Sequence, residues 1–437
     1  MNINVIGTGY VGLVSGAGLA DFGNHVVCSD INKDKINLLK NGKIPFYEPG
    51  LTEFVKRNVE AGRLSFSNEV GESIKDADVI FIAVWTPMSD NGEANLSAIE
   101  NVAETIGRNL NEYKVVCTKS TVPVGTGEKI RKVIEKNKNS KINFDVISNP
   151  EFLREGSSVK DFLIPNRVII GVESEKAKEI MKNVYRPLFI NETPIVFTDV
   201  KTAETIKYAS NAFLAVKISY INEIANLCDA TGADVHVVSK AMGLDNRIGS
   251  KFLHPGPGYG GSCFPKDTNA LVKLGKNKGV DLTIVKAAIK TNSKQREKVY
   301  NKLKKLFNNN VKGKTIAILG LAFKSNTDDV RQSSAIYFIE KLLDEGASLK
   351  AFDPAANENM KKLFLKVNYC DSLEEAVTDA DGIVVLTEWH EIRGMDLEKV
   401  SKLVKTKILL DAKNLLNPHE LKRLGFTFKN VGRPNVR

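Results

Sequence analysis

Two doubly wound α/β domains joined by a long central helix are predicted by three features of the 437-residue sequence. The first is a strand, glycine turn, helix and strand over residues 3–30. The second is a looser copy of that unit starting at Thr315, and the third is an unbroken helical pattern from Asp199 to about Cys228 between them. A chain of this length exceeds one ordinary core. The expected division is 1–198, a helical region 199–310, and 311–437.

In the first unit Ile3-Asn4-Val5-Ile6 reads as a strand and Gly7-Thr8-Gly9-Tyr10-Val11-Gly12 as a turn into a helix of small residues. His25-Val26-Val27-Cys28-Ser29 is the second strand and ends at Asp30. This is the Rossmann dinucleotide fingerprint in its required context. Gly7 permits the tight turn, Gly9 lets the backbone approach a pyrophosphate, and Gly12 allows close helix–strand contact. The helix N-terminus would then hold the phosphates. Asp30 would accept hydrogen bonds from the adenosine ribose, which selects NAD over NADP.

Further strands are expected at Val79–Val84, Val115–Thr118 and Asp145–Ser148. Ligands of doubly wound sheets gather at the carboxyl ends of the strands. Those ends carry Trp85-Thr86-Pro87, Ser120-Thr121-Val122-Pro123 and Asn149-Pro150-Glu151-Phe152-Leu153-Arg154-Glu155. Thr86, Thr121, Glu151 and Glu155 are therefore candidates to face a nicotinamide and a substrate. Acids also suit any solvated helix start, so the residues alone do not choose for Glu151 and Glu155.

Asp199 is placed to cap the long helix. Ile206, Phe213, Leu214, Ile218, Ile221 and Ala225 form a broad apolar stripe, suited to a buried or interface helix. Lys207 and Asn211 are four apart and share a face. A cation and an amide on a largely apolar helix suit an oxyanion site, although exposed polar residues are commoner.

The stretch Gly258-Tyr259-Gly260-Gly261-Ser262-Cys263-Phe264-Pro265-Lys266-Asp267 removes bulk around a thiol. Pro265 fits the first turn of a helix, so Cys263 would sit at a helix N-terminus with Lys266 near. Both favour the thiolate, hence a nucleophile; a packed structural thiol is the competing reading. The glycines let a ligand or another backbone approach closely, and are expected to leave room for a sugar to reach Cys263.

Val311-Lys312-Gly313-Lys314 reads as a linker into the second unit. There Thr315–Leu319, a turn Gly320-Leu321-Ala322-Phe323-Lys324, a helix Ser333–Leu343 and a strand Ser348–Asp353 repeat the first pattern without its full glycine set. Strands at Gly382–Leu386 and Ile408–Asp411 complete the domain. Lys324, Arg331 and Arg393 lie in or near its loops and are candidates to meet phosphates.

Composition narrows the class. Hydrophobic residues at 42% and charged residues at 26% are those of a soluble globular protein, and no apolar run reaches the roughly 18 residues of a membrane span. Met1–Ile6 enters a strand without a basic leader or cleavage site, so no signal peptide and a cytoplasmic location are expected. Five scattered cysteines and five scattered histidines form neither a disulfide framework nor a metal site. The net charge of +10 is spread along the chain, which disfavours nucleic acid and suits small polyanions.

Several motifs in fixed order resemble the UDP-glucose/GDP-mannose dehydrogenase family over essentially the whole chain. They are Gly7–Val14, Lys119–Thr126, Asn149–Gly156, Lys207–Asn211, the cysteine stretch, Gly320–Lys324 and Asp328–Arg331. The resemblance implies oxidation of UDP-glucose to UDP-glucuronate by two NAD-dependent steps at one site. The thiol of Cys263 would add to the intermediate aldehyde, and hydride loss would give a thioester that water releases. Lys207 and Asn211 would stabilise the oxyanions. Asp267 and Thr121 would position water, and Glu155 with Glu151 would do acid–base work.

The same resemblance places Glu151, Phe152, Leu153, Lys207, Asn211, Phe252, Tyr259, Gly260, Cys263, Phe264, Lys324 and Arg393 around the UDP-sugar. Arg247 would be lent across a homodimer paired through the long helix. Tyr10, Val11, Lys35, Thr86, Thr121, Glu155, Lys266 and Arg331 would join Gly7, Gly9, Gly12 and Asp30 in holding NAD. Two residues depart from the family pattern. Trp85 stands where glycine is common and would either stack on the adenine or obstruct it. Lys413 replaces a usual arginine and loses its bidentate fork. Within the family, GDP-mannose and UDP-N-acetylmannosamine dehydrogenases are the alternatives. A hydroxyacid or acyl-CoA dehydrogenase would leave Cys263 and the second nucleotide-like domain unused. A non-catalytic nucleotide-sugar sensor would not need Cys263, Lys207, Asn211 and Asp267 together.

Overall fold

The computed structural model describes residues 1–89, 92–139 and 141–434. Two compact units are present, Met1–Ser210 and Asn211–Arg437. The first holds β1 (Asn2–Ile6), β2 (His25–Ser29), β3 (Leu64–Ser67), β4 (Val79–Ile82), β5 (Lys114–Thr118), β6 (Phe144–Ser148), β7 (Val168–Gly171) and β8 (Ile195–Thr198). Its sheet runs β3-β2-β1-β4-β5-β6-β7-β8. Every pair is parallel except β6 and β7, where Ser148 meets Gly171 antiparallel. The central strands are apolar on both faces, as a sheet covered on both sides requires. Along β4, Val79 and Phe81 enter one core cluster while Ile80 and Ile82 enter another.

The expected strand Val79–Val84 ends at Ile82. Beyond it the carbonyl of Val84 accepts from Ser120 Oγ at 2.7 Å, which draws the chain off the ladder. The strand order reverses direction at β1 and β4, so the crevice at their carboxyl ends is the ligand position of this sheet class.

The helix Val200–Thr231 is 32 residues long, and the boundary between the units falls within it. Asp199 starts it, accepting from Thr202 N at 2.9 Å and from Thr202 Oγ1 at 2.6 Å. In the second unit the sheet order is β11 (Asn368–Tyr369), β10 (Ser348–Phe352), β9 (Thr315–Leu319), β12 (Gly382–Val385), β13 (Ile408–Asp411) and β14 (Thr427–Lys429), all parallel. One core cluster joins Ile221, Ala225, Val299 and Leu303 of the helices to the strands of this sheet. The stretch 311–314, read from the sequence as a linker, leads directly into β9. Val311 is buried in that same core and Gly313, at φ +69°, turns the chain into β9.

Among the described residues no helix is long and apolar enough to cross a membrane.

Candidate active site

The glycine turn of the first unit is built by sterics. Gly7 lies at φ +102°, and a Cβ there would meet the Ala83 carbonyl at 2.6 Å. A Cβ on Gly12 would lie 1.8 Å from the Gly7 carbonyl oxygen, whereas Gly9 has nothing within 4 Å of that position. The helix Tyr10–Asp21 begins directly after this open side, with Gly9 at its cap. Open space before the N-terminus of a 12-residue helix fits a pyrophosphate.

Asp30 ties the same turn together. Its Oδ2 accepts from Thr8 N at 2.9 Å and Thr8 Oγ1 at 2.8 Å, its Oδ1 accepts from Asn32 N at 3.0 Å, and Lys35 Nζ stands 3.6 Å away. Burial pushes the carboxyl up, but the Asn32 and Thr8 bonds and Lys35 outweigh it and hold it below its ordinary value. Asp30 is thus an anion with part of its acceptor capacity already used, and its two oxygens leave room for a ribose. The residues present fit NAD.

Around this turn Tyr10 packs 5.7 Å from the Phe46 ring, and Val11 lies partly buried against the core. Burial, with Glu48 and Glu155 nearby, pushes the Tyr10 hydroxyl up, which places Glu155 beside the cofactor turn. Glu48 accepts from Gly156 N at 2.6 Å and Ser158 N at 2.8 Å, and so fixes the loop that carries Glu155. The buried Thr86 donates to the Thr121 carbonyl at 3.0 Å, linking the ends of β4 and β5. Trp85 is 69% exposed, so its indole stands clear of the core at this end of the sheet.

Glu151 is no solvated helix start. Its Oε1 accepts from Lys207 Nζ at 3.0 Å, with both side chains only 5% exposed, and its Oε2 accepts from Leu153 N at 2.5 Å. Lys207 also lies 5.2 Å from the Phe152 ring centre, and Arg167 covers that ring at 3.5 Å. Burial pulls the Arg167 guanidinium down, with Glu151 opposing. Deeper in the same unit, Lys119 Nζ donates to Asn149 Oδ1 and Tyr185 Oη, each at 3.1 Å, and burial pulls it down to about 8.

In the second unit Cys263 caps the helix Phe264–Asn277, and Pro265 lies in its first turn. Of the five cysteines, the other four are buried. Burial pushes Cys28 up to about 12 and raises Cys117, Cys228 and Cys370. Next to the thiol, Ser262 Oγ lies 3.5 Å from Cys263 Sγ. The fully buried Asp267 accepts from Asn211 Nδ2 at 2.6 Å and from Lys266 Nζ at 2.5 Å. Lys266 is therefore engaged by a carboxylate as well as being one turn from the thiol.

The Cβ positions of the glycines in this stretch face protein atoms. A Cβ on Gly258, Gly260 or Gly261 would meet Asn292 Oδ1 at 2.6 Å, the Gln332 carbonyl at 2.2 Å and the Phe323 ring at 2.7 Å. Protein atoms already use the space those side chains would need. Beside them Phe264 packs against Phe252 and Tyr259, with ring centres 6.1 Å and 6.0 Å apart. Phe252 holds a left-handed φ of +65°.

Among the outlying cations, Arg247, Arg331 and Lys413 pair with local carboxylates. Arg247 and Arg331 are exposed and grip Asp245 and Asp329 with paired nitrogens. Lys324 Nζ lies 5.6 Å from the Phe323 ring, Arg393 ends the short helix His390–Arg393, and Lys413 pairs with Glu388 at 2.7 Å. The second unit repeats the acid of the first at Asp353, but fills it. Asp353 Oδ2 accepts from Leu321 N, Ala322 N and Trp389 Nε1 at 2.7, 2.9 and 3.0 Å. Among the described residues no three His, Cys, Asp or Glu side chains are grouped to hold a metal ion.

The sequence reading missed Glu48, Lys119, Arg167 and Glu204. Glu204 accepts from Gly125 N at 2.6 Å and Gly127 N at 2.8 Å, capping the helix Thr126–Asn137, and burial pushes its carboxyl up to about 7 against those amides. Lys119 stood in a quoted motif without a role. Glu48 and Glu204 gave no local signal, because their partners lie 77 to 110 residues away.

Family models of the UDP-glucose/GDP-mannose dehydrogenases match residues 1–189 (NAD binding domain), 201–294 (central domain) and 317–418 (UDP binding domain). The chain is 48% identical to the UDP-glucose 6-dehydrogenase TuaD of Bacillus subtilis, covering all of this chain and 94% of the relative. It is 46% identical to the UDP-glucose 6-dehydrogenase of Rhizobium meliloti over the whole of both chains. The solved UDP-glucose dehydrogenase of Pyrobaculum islandicum superposes with a TM-score of 0.92 at 35% identity, covering 99% of this chain and 97% of that one. With three domain models in order along a chain that carries the glycine turn, the buried Lys207–Glu151 pair and a cysteine at a helix N-cap, the protein belongs to the UDP-glucose/GDP-mannose dehydrogenase family.

Proposed function

We propose that the protein oxidises UDP-glucose to UDP-glucuronate in two NAD-dependent steps on Cys263. The carrying observation is the thiol itself. Cys263 is the one cysteine of five that is not buried, and it stands at the N-terminus of a 14-residue helix beside the Asn211–Asp267 pair. A helix N-terminus favours the thiolate. Gly7, Gly9, Gly12 and Asp30 would hold NAD, which would supply the hydride acceptor for each oxidation.

The thiolate forms a C–S bond to the aldehyde carbon left by the first oxidation. Loss of the second hydride from that carbon leaves a thioester, and water then breaks the C–S bond and frees acid and thiolate. The Lys207 ammonium and the Asn211 amide stabilise the oxygen charge of the tetrahedral stages. Asp267, already bonded to Asn211, orients the amide and the attacking water with Thr121, while Glu155 and Glu151 serve as proton carriers. The first domain holds NAD and the third the uridine diphosphate, through Lys324 and Arg393. The 41–48% identity to full-length relatives named UDP-glucose 6-dehydrogenase supports glucose as the sugar.

The reading includes a homodimer in the cytoplasm. Phe213, Tyr220 and Leu227, 63, 48 and 58% exposed, stand seven residues apart along the long helix, the spacing of a paired helical seam. Sedimentation as a monomer at micromolar concentration would remove the dimer.

The deciding experiment counts NADH formed per nucleotide sugar consumed. Two per UDP-glucose, with UDP-glucuronate as product, is expected. One per sugar, or turnover of UDP-N-acetylmannosamine or GDP-mannose in its place, overturns the reading.

A further inference from the structure

The Cys263 segment is held from behind by a helix to which the function above gives no part. On the helix Thr283–Leu306, Asn292 and Arg296 are one turn apart and face the same stretch of chain. Asn292 is 7% exposed, and its amide pairs with the backbone of Tyr259 in both directions. Its Oδ1 accepts from Tyr259 N at 2.7 Å and its Nδ2 donates to Tyr259 O at 3.0 Å. The side chain thus replaces a neighbouring strand, and fixes the height and tilt of that peptide.

Arg296 adds the second hold. Its Nη2 donates to Tyr259 O at 3.1 Å and to Gln332 O at 2.8 Å. A half-buried cation is here solvated by carbonyl oxygens of two separate loops. The same two loops meet again where Gly261 N donates to Arg331 O at 2.8 Å. Gly258 and Gly260 press so closely on Asn292 and Gln332 that a Cβ would overlap both. Two residues beyond Gly261 the chain reaches Cys263 and the helix it caps.

We propose that Asn292 and Arg296 are positioning residues for the Cys263 thiol. They hold the Tyr259–Gly261 backbone so that Cys263 stands at its helix N-terminus in the geometry for attack. This rests on the reading that Cys263 is the nucleophile. A displacement of about 1 Å at a reacting atom costs on the order of 10²-fold in rate.

The test uses the full chain with Asn292→Ala, Arg296→Lys, Arg296→Met and, from the opposite side of the contact, Gly258→Ala. Two quantities are read in each: kcat for NADH formation from UDP-glucose, and the pH profile of Cys263 alkylation by iodoacetamide, followed by mass spectrometry. Thermal midpoint and NAD affinity report folding. We expect folded variants with NAD affinity within about twofold of the parent, kcat lower by on the order of 10²-fold, and an alkylation midpoint moved to higher pH. Arg296→Lys, which keeps the charge and one donor, should fall less than Arg296→Met.

Parental kcat in Asn292→Ala and Arg296→Met overturns the proposal. So does a loss of kcat that tracks the folded fraction with the alkylation profile unmoved, since that is a merely structural role. If the parent forms no NADH from UDP-glucose, the functional reading fails by itself; the alkylation profiles still decide whether these two side chains place the thiol.

Discussion

Cys263→Ser is expected to stop acid formation, lowering turnover of UDP-glucose by on the order of 10⁴-fold or more, as removal of a covalent nucleophile does. Serine keeps the shape of the side chain but lacks a readily formed anion, so the aldehyde of the first oxidation finds no acceptor. At most one NADH per sugar should then appear, in a burst limited by enzyme concentration. NAD binding should persist, because the glycine turn and Asp30 belong to the first unit and Cys263 to the second. Quenching of the exposed Trp85 provides a readout, as Trp389, the second of two tryptophans, is buried. The parent supplies a control: iodoacetamide should label Cys263 first, since burial raises the other four thiols. Sustained formation of UDP-glucuronate by the serine variant removes the thiol from the mechanism.

What the sequence made legible is what short-range chemistry determines. The unit from β1 to Asp30 could be read because Gly7, Gly9 and Gly12 answer to contacts within the turn and its next strand. The central strands could be read because both faces are buried and the residues run apolar without a break. The short edge strands β3, β8, β11 and β14 escaped, being partly exposed, and so did the four-residue β7 although it is fully buried. The polar framework of the site escaped for another reason. Glu48 closes a contact over 108 residues, and Asn292 one over 33, and neither spacing leaves a mark on local pattern. The glycines of the thiol stretch show the limit most clearly. Absence of a side chain reveals close approach, but only the structure shows that Asn292, Gln332 and Phe323 make it.

Lys207→Met separates the two meanings of a buried ion pair. Lys207 and Glu151 are each 5% exposed and 3.0 Å apart, so removing the cation leaves a buried carboxylate with the Leu153 amide and the more distant Arg167 and Lys119. Breaking such a pair costs about 3–5 kcal/mol of stability, and loss of an oxyanion donor costs on the order of 10²–10³ in kcat. The single variant should show both losses. In Lys207→Met/Glu151→Leu the stranded charge is gone and apolar packing takes its place, which should restore most of the stability. Turnover should stay at the level of the single variant or below, because the Asn211 amide alone remains to meet the developing oxygen charge. Denaturant midpoints and kcat on the same preparations give both arms of the cycle. Recovery of kcat along with stability would mean that Lys207 serves the fold alone, and that the oxyanion is stabilised from elsewhere.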